Sequence, residues 1–200
     1  MARPRAAQPV KLLLGLLSGD PDLLRRARQL LVKRFGPTDV ESPLWPFDET
    51  DYYAPEMGRG LQRQFLSFAT LINPDRLVEI KHETNALEQQ IAEDVVLPDI
   101  PRPVNIDPGY IDLARLVLAT TKDRGHRIYL GHGIYAEVTL LYAAGGWQVQ
   151  PWTYPDYRKP AAHAVFADMR ARLRAQRQAL GDAAAGEADA DPAARPEAAP

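Results

Sequence analysis

The spacing of apolar and polar residues divides the chain into short β-segments and three helices. The first segment, Val10–Leu17, is a continuous apolar run closed by Ser-Gly-Asp-Pro, which is typical of a strand buried on both faces. An aspartate caps the helix that follows, Pro21–Phe35, and Gly-Pro ends it. With a returning strand in Asp39–Leu44, this opening has the order of elements found in α/β proteins.

The middle of the chain alternates proline-rich and apolar stretches. Trp45–Gly60 is too broken by proline for regular structure, and its aromatic and acidic residues either anchor a loop, which we favour, or line a ligand site. Leu61–Ile72 predicts a strand, and an Asn-Pro pair then starts a helix over Pro74–Glu93. Three polar residues of this helix line up on one strip, either a solvated face or part of a site: Lys81, Asn85 and Glu88.

The second half predicts shorter elements around a β-hairpin. In chain order they are a stiff connector over Val95–Val104, a strand end at Asn105 with a type II turn at Pro108-Gly109, one helical turn over Tyr110–Arg115, a strand over Leu116–Thr121, a last strand over Trp147–Trp152 and a helix over Pro160–Leu180.

The hairpin joins His126–Leu130 to Ile134–Tyr142, and its side chains select a register. A three-residue loop, 131–133, produces these facing pairs: Leu130 with Ile134, Tyr129 with Tyr135, Ile128 with Ala136, and Arg127 with Glu137. One face is then apolar, and the other carries the two tyrosines with Arg127, Glu137 and Thr139. A two-residue loop would mix the two chemistries, so we expect the longer loop.

Together these patterns predict a single domain of the α/β (α+β) class, with a mixed β-sheet and helices packed mainly on one face. The domain spans 10–180, after a flexible lead over 1–9 and before a disordered tail over 181–200 rich in Ala, Pro and acidic residues. A chain of 200 residues with 46% hydrophobic positions is long enough for one such core.

Composition narrows the functional classes. The 24 basic and 26 acidic residues give a net charge of −2, so we expect neither bulk nucleic-acid binding nor attraction to an anionic membrane. The absence of cysteine excludes disulfides, thiolate nucleophiles and thiolate metal sites. The leucine run over 12–17 is too short for a signal peptide or a membrane span. We therefore expect a cytoplasmic protein without a membrane partner, and an oligomer remains open.

No standard phosphate-binding or catalytic motif is present, because the glycines after the first strand lack the P-loop lysine and no G-x-S-x-G or H-E-x-x-H occurs. No catalytic residue is therefore assigned. The candidate chemistry is a set of polar residues at strand ends, where cations and turn amides suit a phosphate or carboxylate. The candidate ligand-binding residues are Asn105, Asp107, Lys122, Asp123, His126, Arg127, Tyr129, Tyr135, Glu137, Trp152, Tyr154, Asp156, Arg158, Lys81 and Asn85.

Some of these residues have two interpretations. Asp107, Asp123 and Glu137 are candidate ligands for a Mg²⁺ ion that bridges to phosphate. Arg127 and Glu137 are equally well explained as a cross-strand ion pair. The run Trp152–Arg158 either stacks on a base or, as we favour, wedges the final helix onto the sheet.

Several motifs together resemble a known family. They are Trp45-Pro-Phe with Thr50, Tyr52, Tyr53, Glu56, Met57 and Gly58; Lys81 with Thr84-Asn85 and Glu88; Asn105-x-Asp-Pro-Gly-Tyr-Ile; His126-Arg-Ile-Tyr-Leu; Gly133-Ile-Tyr-Ala-Glu-Val-Thr-Leu; and Trp152-Thr-Tyr-Pro-Asp-Tyr-Arg. This combination, which covers about Lys11 to Leu173, resembles an uncharacterised prokaryotic family, domain of unknown function 4416, whose members are often labelled GTP-binding protein. The resemblance implies GTP as a ligand and implies no catalytic set.

The leading hypothesis is binding of a nucleotide or another phosphorylated small molecule at the polar hairpin face, with or without Mg²⁺ and with turnover left open. The alternative is a non-catalytic interaction or assembly protein. In that case the aromatic segments Trp45–Tyr53 and Trp152–Tyr157 form an exposed partner surface.

Overall fold

The structure, a computed structural model, describes residues 6–95 and 97–189. Its elements are β1 (Val10–Ser18), α1 (Pro21–Phe35), β2 (Thr38–Glu41), β3 (Trp45–Pro46), α2 (Ala54–Met57), β4 (Gln62–Ile72), a 3₁₀ turn (Pro74–Arg76), α3 (Leu77–Val95), β5 (Asn105–Ile111), β6 (Arg115–Thr120), β7 (Ile128–Gly131), β8 (Ile134–Ala143), β9 (Gly146–Val149), a second 3₁₀ turn (Pro155–Arg158) and α4 (Pro160–Asp189). The predicted lead over 1–9 and tail over 181–200 lie partly outside the described residues, so both stay predictions.

The nine strands form one sheet in the order β2-β4-β1-β5-β6-β8-β7, with β3 paired to β4 and β9 to β8. The prediction of a single α/β domain is confirmed. Every strand pairing in the described part of the chain is antiparallel, however, where we expected a mixed sheet. A mixed sheet would have required β2 to pair with β1, because these two strands run in the same direction. Instead β2 pairs with β4.

The strand β1 is buried on both faces, as its apolar run predicts. Leu12, Leu14 and Leu16 pack in one core with residues of α1 and α3, while Leu13 packs in a second core with Phe166 of α4. Two of the three long helices therefore share one face of the sheet, and α4 covers the other. None of the helices in the described residues is both long and apolar enough to cross a membrane.

The start of α1 follows the predicted capping pattern. The side chain of Asp20 accepts a hydrogen bond from the backbone N–H of Asp22 at 2.8 Å, and Pro21 occupies the first helical position. The predicted bounds of α1 are confirmed. The last helix begins at Pro160 as predicted and extends to Asp189 instead of Leu180.

The segment around Pro108-Gly109 is a strand, so the predicted type II turn and the helical turn over Tyr110–Arg115 are wrong. A Cβ on Gly109 would lie 2.3 Å from the carbonyl oxygen of Val117. The glycine is thus required by the close approach of β6 and not by a turn. The actual turn follows β5, where the Asp112 N–H donates to the carbonyl oxygen of Arg115 at 3.0 Å.

The β7–β8 hairpin confirms the predicted pairs of Ile128 with Ala136 and Tyr129 with Tyr135, but Gly131 instead of Leu130 faces Ile134. The predicted three-residue loop is therefore wrong. The loop is His132-Gly133, whose φ values of 51° and 76° suit a tight two-residue hairpin. A bulge at Leu130 leaves this residue without a partner on β8. The side chain of Ile128 on this edge strand is 68% exposed, so the expected apolar face is not packed here.

Candidate functional site

A cleft of about 630 Å³ opens where the two central strands β5 and β6 separate. These strands pair only from Gly109–Leu118 to Ile111–Leu116. At the next position Pro108 would face Ala119, and proline has no N–H to donate to the neighbouring strand. The sheet therefore splits beyond Pro108, and residues from both of its faces reach the same cavity.

Two side chains of α3 take the place of β6 along the open edge of β5. The N–H of Ile106 donates to Oε1 of Glu88 at 2.6 Å, and the carbonyl oxygen of Ile106 accepts from Nζ of Lys81 at 3.2 Å. The polar strip of α3 thus faces the split instead of solvent. Burial raises the pKa of Glu88, although Lys81 and Arg102 oppose that shift.

One end of the cleft is built around Arg63 of β4, which is 4% exposed. Its Nε lies 2.9 Å from Oδ2 of Asp156 and its Nη1 lies 3.5 Å from Oδ2 of Asp107. These contacts are ion pairs by distance, yet Nε and Nη1 of Arg63 make no hydrogen bond of good geometry within the described residues. Burial alone would lower the pKa of Arg63, but Asp156 and the neighbouring groups outweigh it and raise the pKa.

A hydrogen-bonded chain fixes the wall next to Arg63. Arg102 donates to Oε2 of Glu88 at 3.0 Å and also to Oδ1 of Asn105. Nδ2 of Asn105 then donates to Oδ2 of Asp107 at 2.6 Å. Asn105 and Asp107, both predicted site residues, are therefore held in place by an arginine that the sequence analysis did not select.

The opposite wall is organised by Arg127. Its Nε donates to Oε2 of Glu137 at 2.9 Å, its Nη1 to the carbonyl oxygen of Lys122 at 2.8 Å, and its Nη2 to the hydroxyl of Tyr154 at 2.9 Å. Arg127 and Glu137 thus face each other, as the hairpin pattern predicted. The ion pair is structural, and it also sets the position of Lys122 and Tyr154 in the cleft wall.

Lys122 links its own wall of the cleft to the segment between β3 and β4 through Tyr52. Its Nζ donates to the hydroxyl of Tyr52 at 2.7 Å and lies 4.6 Å from the centre of the same ring. This hydrogen bond lowers the pKa of Tyr52. The segment between β3 and β4, which carries Tyr52, therefore forms part of the cleft.

Nine of the fifteen candidate residues line the cleft: Lys81, Asn85, Asn105, Asp107, Lys122, Arg127, Glu137, Tyr154 and Asp156. Six lie outside its lining: Asp123, His126, Tyr129, Tyr135, Trp152 and Arg158. The lining residues that the candidate set omitted include Arg63, Arg102, Arg124, Tyr52, Tyr53 and Tyr157. No local signal marked Arg63, because it stands between Gln62 and Gln64 at the polar start of β4.

The residues outside the lining have structural contacts. His126 stacks on Trp152, with ring centres 4.8 Å apart and planes 10° apart, and Trp152 Nε1 donates to the carbonyl oxygen of Val138 at 2.9 Å. Arg158 donates to the carbonyl oxygen of Thr153 at 2.7 Å. These contacts favour the wedge interpretation of the Trp152–Arg158 run.

The three carboxylates predicted to hold Mg²⁺ do not all line the cleft. Across the part of the chain that the structure describes, no group of three or more His, Asp or Glu residues is placed to hold a metal ion. Asp123 lies outside the cleft lining, while Asp107 and Glu137 are each within ion-pair distance of an arginine. Their oxygens are therefore engaged by cations of the protein itself.

Most aromatic side chains of the two segments in the alternative hypothesis are buried or half-buried. Of the aromatic side chains in Trp45–Tyr53 and Trp152–Tyr157, only Tyr52 is exposed. The ring of Trp45 packs against Phe65 at 6.0 Å between ring centres. This packing agrees with the favoured interpretation of the first segment as an anchored loop.

Fold and cleft together define an α/β protein with a nine-stranded antiparallel sheet and a polar cleft in a split between two central strands. The chain belongs to the family described as Domain of unknown function (DUF4416), whose model matches residues 8–173. The match confirms the family that the motifs resemble, and it includes every residue that lines the cleft. Neither curated proteins nor solved structures gave a match.

Proposed function

We propose that the cleft binds a nucleotide or another phosphorylated small molecule. The observation that supports this proposal is an excess of cationic side chains in the cleft wall that have no carboxylate partner. Among the described residues, three lining cations have no ion pair with a carboxylate: Lys81, Lys122 and Arg124. A phosphate group would supply the negative charge that these side chains lack.

The carboxylates of the lining do not cancel this charge. Asp107 and Asp156 lie beside Arg63, and Glu137 lies beside Arg127. Each contacts an arginine, with Arg63 shared by two of them, and the described residues of the lining include six cationic side chains against these three carboxylates. Lys81, which is only 5% exposed, has a single hydrogen bond to a backbone carbonyl. A buried ammonium group in this situation gains most from an anionic ligand.

Aromatic rings in the same cleft favour a ligand with a planar group over inorganic phosphate. Five aromatic residues line it: Phe47, Tyr52, Tyr53, Tyr154 and Tyr157. Burial raises the pKa of Tyr53 to about 12 and also raises the pKa of Tyr154, so these phenols remain protonated donors at neutral pH. A volume of about 630 Å³ lies within the range of small-molecule sites. GTP, which the family resemblance implies, is one member of the proposed class.

The test is a thermal-shift screen of the full chain with ATP, GTP, CTP, UTP, pyrophosphate and phosphate, each with Mg²⁺ and with EDTA. A ligand at about 100 times its Kd adds roughly 2.7 kcal/mol to the unfolding free energy and raises Tm. Lys122→Ala should weaken binding about tenfold, since it removes one charge-assisted contact. Lys33→Ala, which removes an exposed lysine from α1, is the matched control.

The proposal is wrong if no phosphorylated compound raises Tm. It is also wrong if Lys122→Ala and Lys33→Ala bind the stabilising compound equally well, because binding would then occur elsewhere on the molecule.

A further inference from the structure

The alternation of hydrogen bonds between β5 and β6 identifies a backbone acceptor without a partner. The Asp112 N–H donates to the carbonyl oxygen of Arg115, so Asp112, just after β5, directs its N–H and C=O toward β6. Along a strand the direction alternates, so every second residue of β5 before Asp112 also points toward β6. These residues are Tyr110, which pairs with Val117, and then Pro108, which would face Ala119 if the register continued by one residue. Proline cannot donate, so the carbonyl oxygen of Ala119 receives no hydrogen bond from β5.

No side chain in the described residues takes over this role. The next group along the open edge, Ile106, has both its N–H and its carbonyl oxygen bonded, to Glu88 and Lys81. Ala119, by contrast, is 3% exposed and lines the cleft. A nearly buried carbonyl that lacks a donor is costly, so a donor from the ligand would be favourable here.

We propose that the ligand donates an N–H group of a nucleobase to the carbonyl oxygen of Ala119. This inference rests on the proposed nucleotide binding and names what the site reads in the base. Lys122, one of the cations without a carboxylate, lies three residues further along the same chain segment. The base and the phosphates of one nucleotide would thus contact the same segment at two points.

The first measurement is isothermal titration calorimetry on the full chain with ATP, GTP, CTP and purine riboside 5′-triphosphate, whose base carries no N–H group. The tightest of the three natural nucleotides should bind roughly tenfold more tightly than the donor-free analogue, which is the effect of one hydrogen bond. Equal affinities would overturn the contact with Ala119 and leave nucleotide binding standing. Absence of binding by all four compounds would overturn the proposed function as well.

The second measurement uses Pro108→Ala, which restores an N–H opposite Ala119. This donor competes with the ligand, so the affinity for the best natural nucleotide should fall about tenfold while that for the donor-free analogue changes by less than about twofold. Pro101→Ala, in the exposed part of the connector before β5, should change neither affinity. An unchanged nucleotide affinity in a folded Pro108→Ala variant contradicts the proposal. If circular dichroism shows that the variant does not fold, the comparison of ligands on the native chain decides alone.

Discussion

Replacing Glu137 with glutamine tests whether the cleft wall depends on a buried charge pair. The side chain of Glu137 is 2% exposed and that of Arg127 is 7% exposed. Oε2 of Glu137 accepts from Nε of Arg127 at 2.9 Å and contacts Nε2 of His126 at 3.0 Å, while Oε1 accepts from the hydroxyl of Thr139 at 3.2 Å. Glu137→Gln keeps the shape and removes the charge.

The expected loss follows from the fate of the arginine. Glutamine leaves the buried guanidinium of Arg127 without its counterion, and breaking a buried pair in this way costs about 3 kcal/mol of unfolding free energy. A pair with similar geometry and much higher exposure is available as a control. Arg28 donates to Glu41 through Nε at 2.8 and 2.9 Å, with side-chain exposures of 37% and 30%. Glu41→Gln should cost less than about 1 kcal/mol, because solvent screens the exposed charges.

Urea denaturation followed by circular dichroism gives the unfolding free energies of both variants. A double-mutant cycle with Arg127→Met and Glu137→Leu should show a coupling of about 2 kcal/mol, since the doubly substituted protein no longer buries a single unpaired charge. Equal losses for Glu137→Gln and Glu41→Gln, or strictly additive effects in the cycle, would refute the reasoning.

Three further outcomes are expected. Gly109→Ala should lower the unfolding free energy in urea by about 3 kcal/mol, because its Cβ would lie 2.3 Å from the carbonyl oxygen of Val117. The control Gly146→Ala, with no atom within 4 Å of the new Cβ, should lower it by less than about 1 kcal/mol. Equal losses would contradict the close approach of β6 to Gly109. Burial raises the pKa of Tyr53 from 10.0 to about 12, so its contribution to stability is complete below pH 10 and lost as the pH rises toward 12. The unfolding free energy of Tyr53→Phe should therefore fall less between pH 10 and about pH 12 than that of the native chain. Identical pH profiles would contradict this. EDTA should leave nucleotide binding intact in the thermal-shift assay, because Arg63 and Arg127 already lie beside the lining carboxylates Asp107 and Glu137. Loss of binding on chelation would show that a metal is needed.

The sequence by itself determined the elements whose signals are local. Asp20 and Pro21 mark the start of α1, and the apolar run of β1 predicts its burial on both faces. The facing of Arg127 and Glu137 also followed from period-two alternation across a short hairpin. These signals act within a few residues, so they can be read without knowledge of the partners of each strand.

Most of the candidate site residues could be found for a related reason. Polar residues such as Asn105, Asp107 and Lys122 stand out at the ends of apolar runs, and the structure brings these three into one cleft. Arg63 and Arg102 were missed because one lies inside a strand and the other in a proline-rich connector. Their importance depends on neighbours from distant segments, Asp156 for Arg63 and Glu88 for Arg102.

Tertiary structure alone decided where the cleft lies. Pro108-Gly109 has the local signature of a turn, yet pairing with β1 keeps the segment extended, and the missing N–H of Pro108 then separates β5 from β6. The role of the polar strip of α3 is visible only in the structure, where Glu88 and Lys81 form hydrogen bonds to the backbone of Ile106 in that gap. The physical reason is that strand pairing is a long-range interaction, and the same residues form a turn or a strand according to which segment lies beside them.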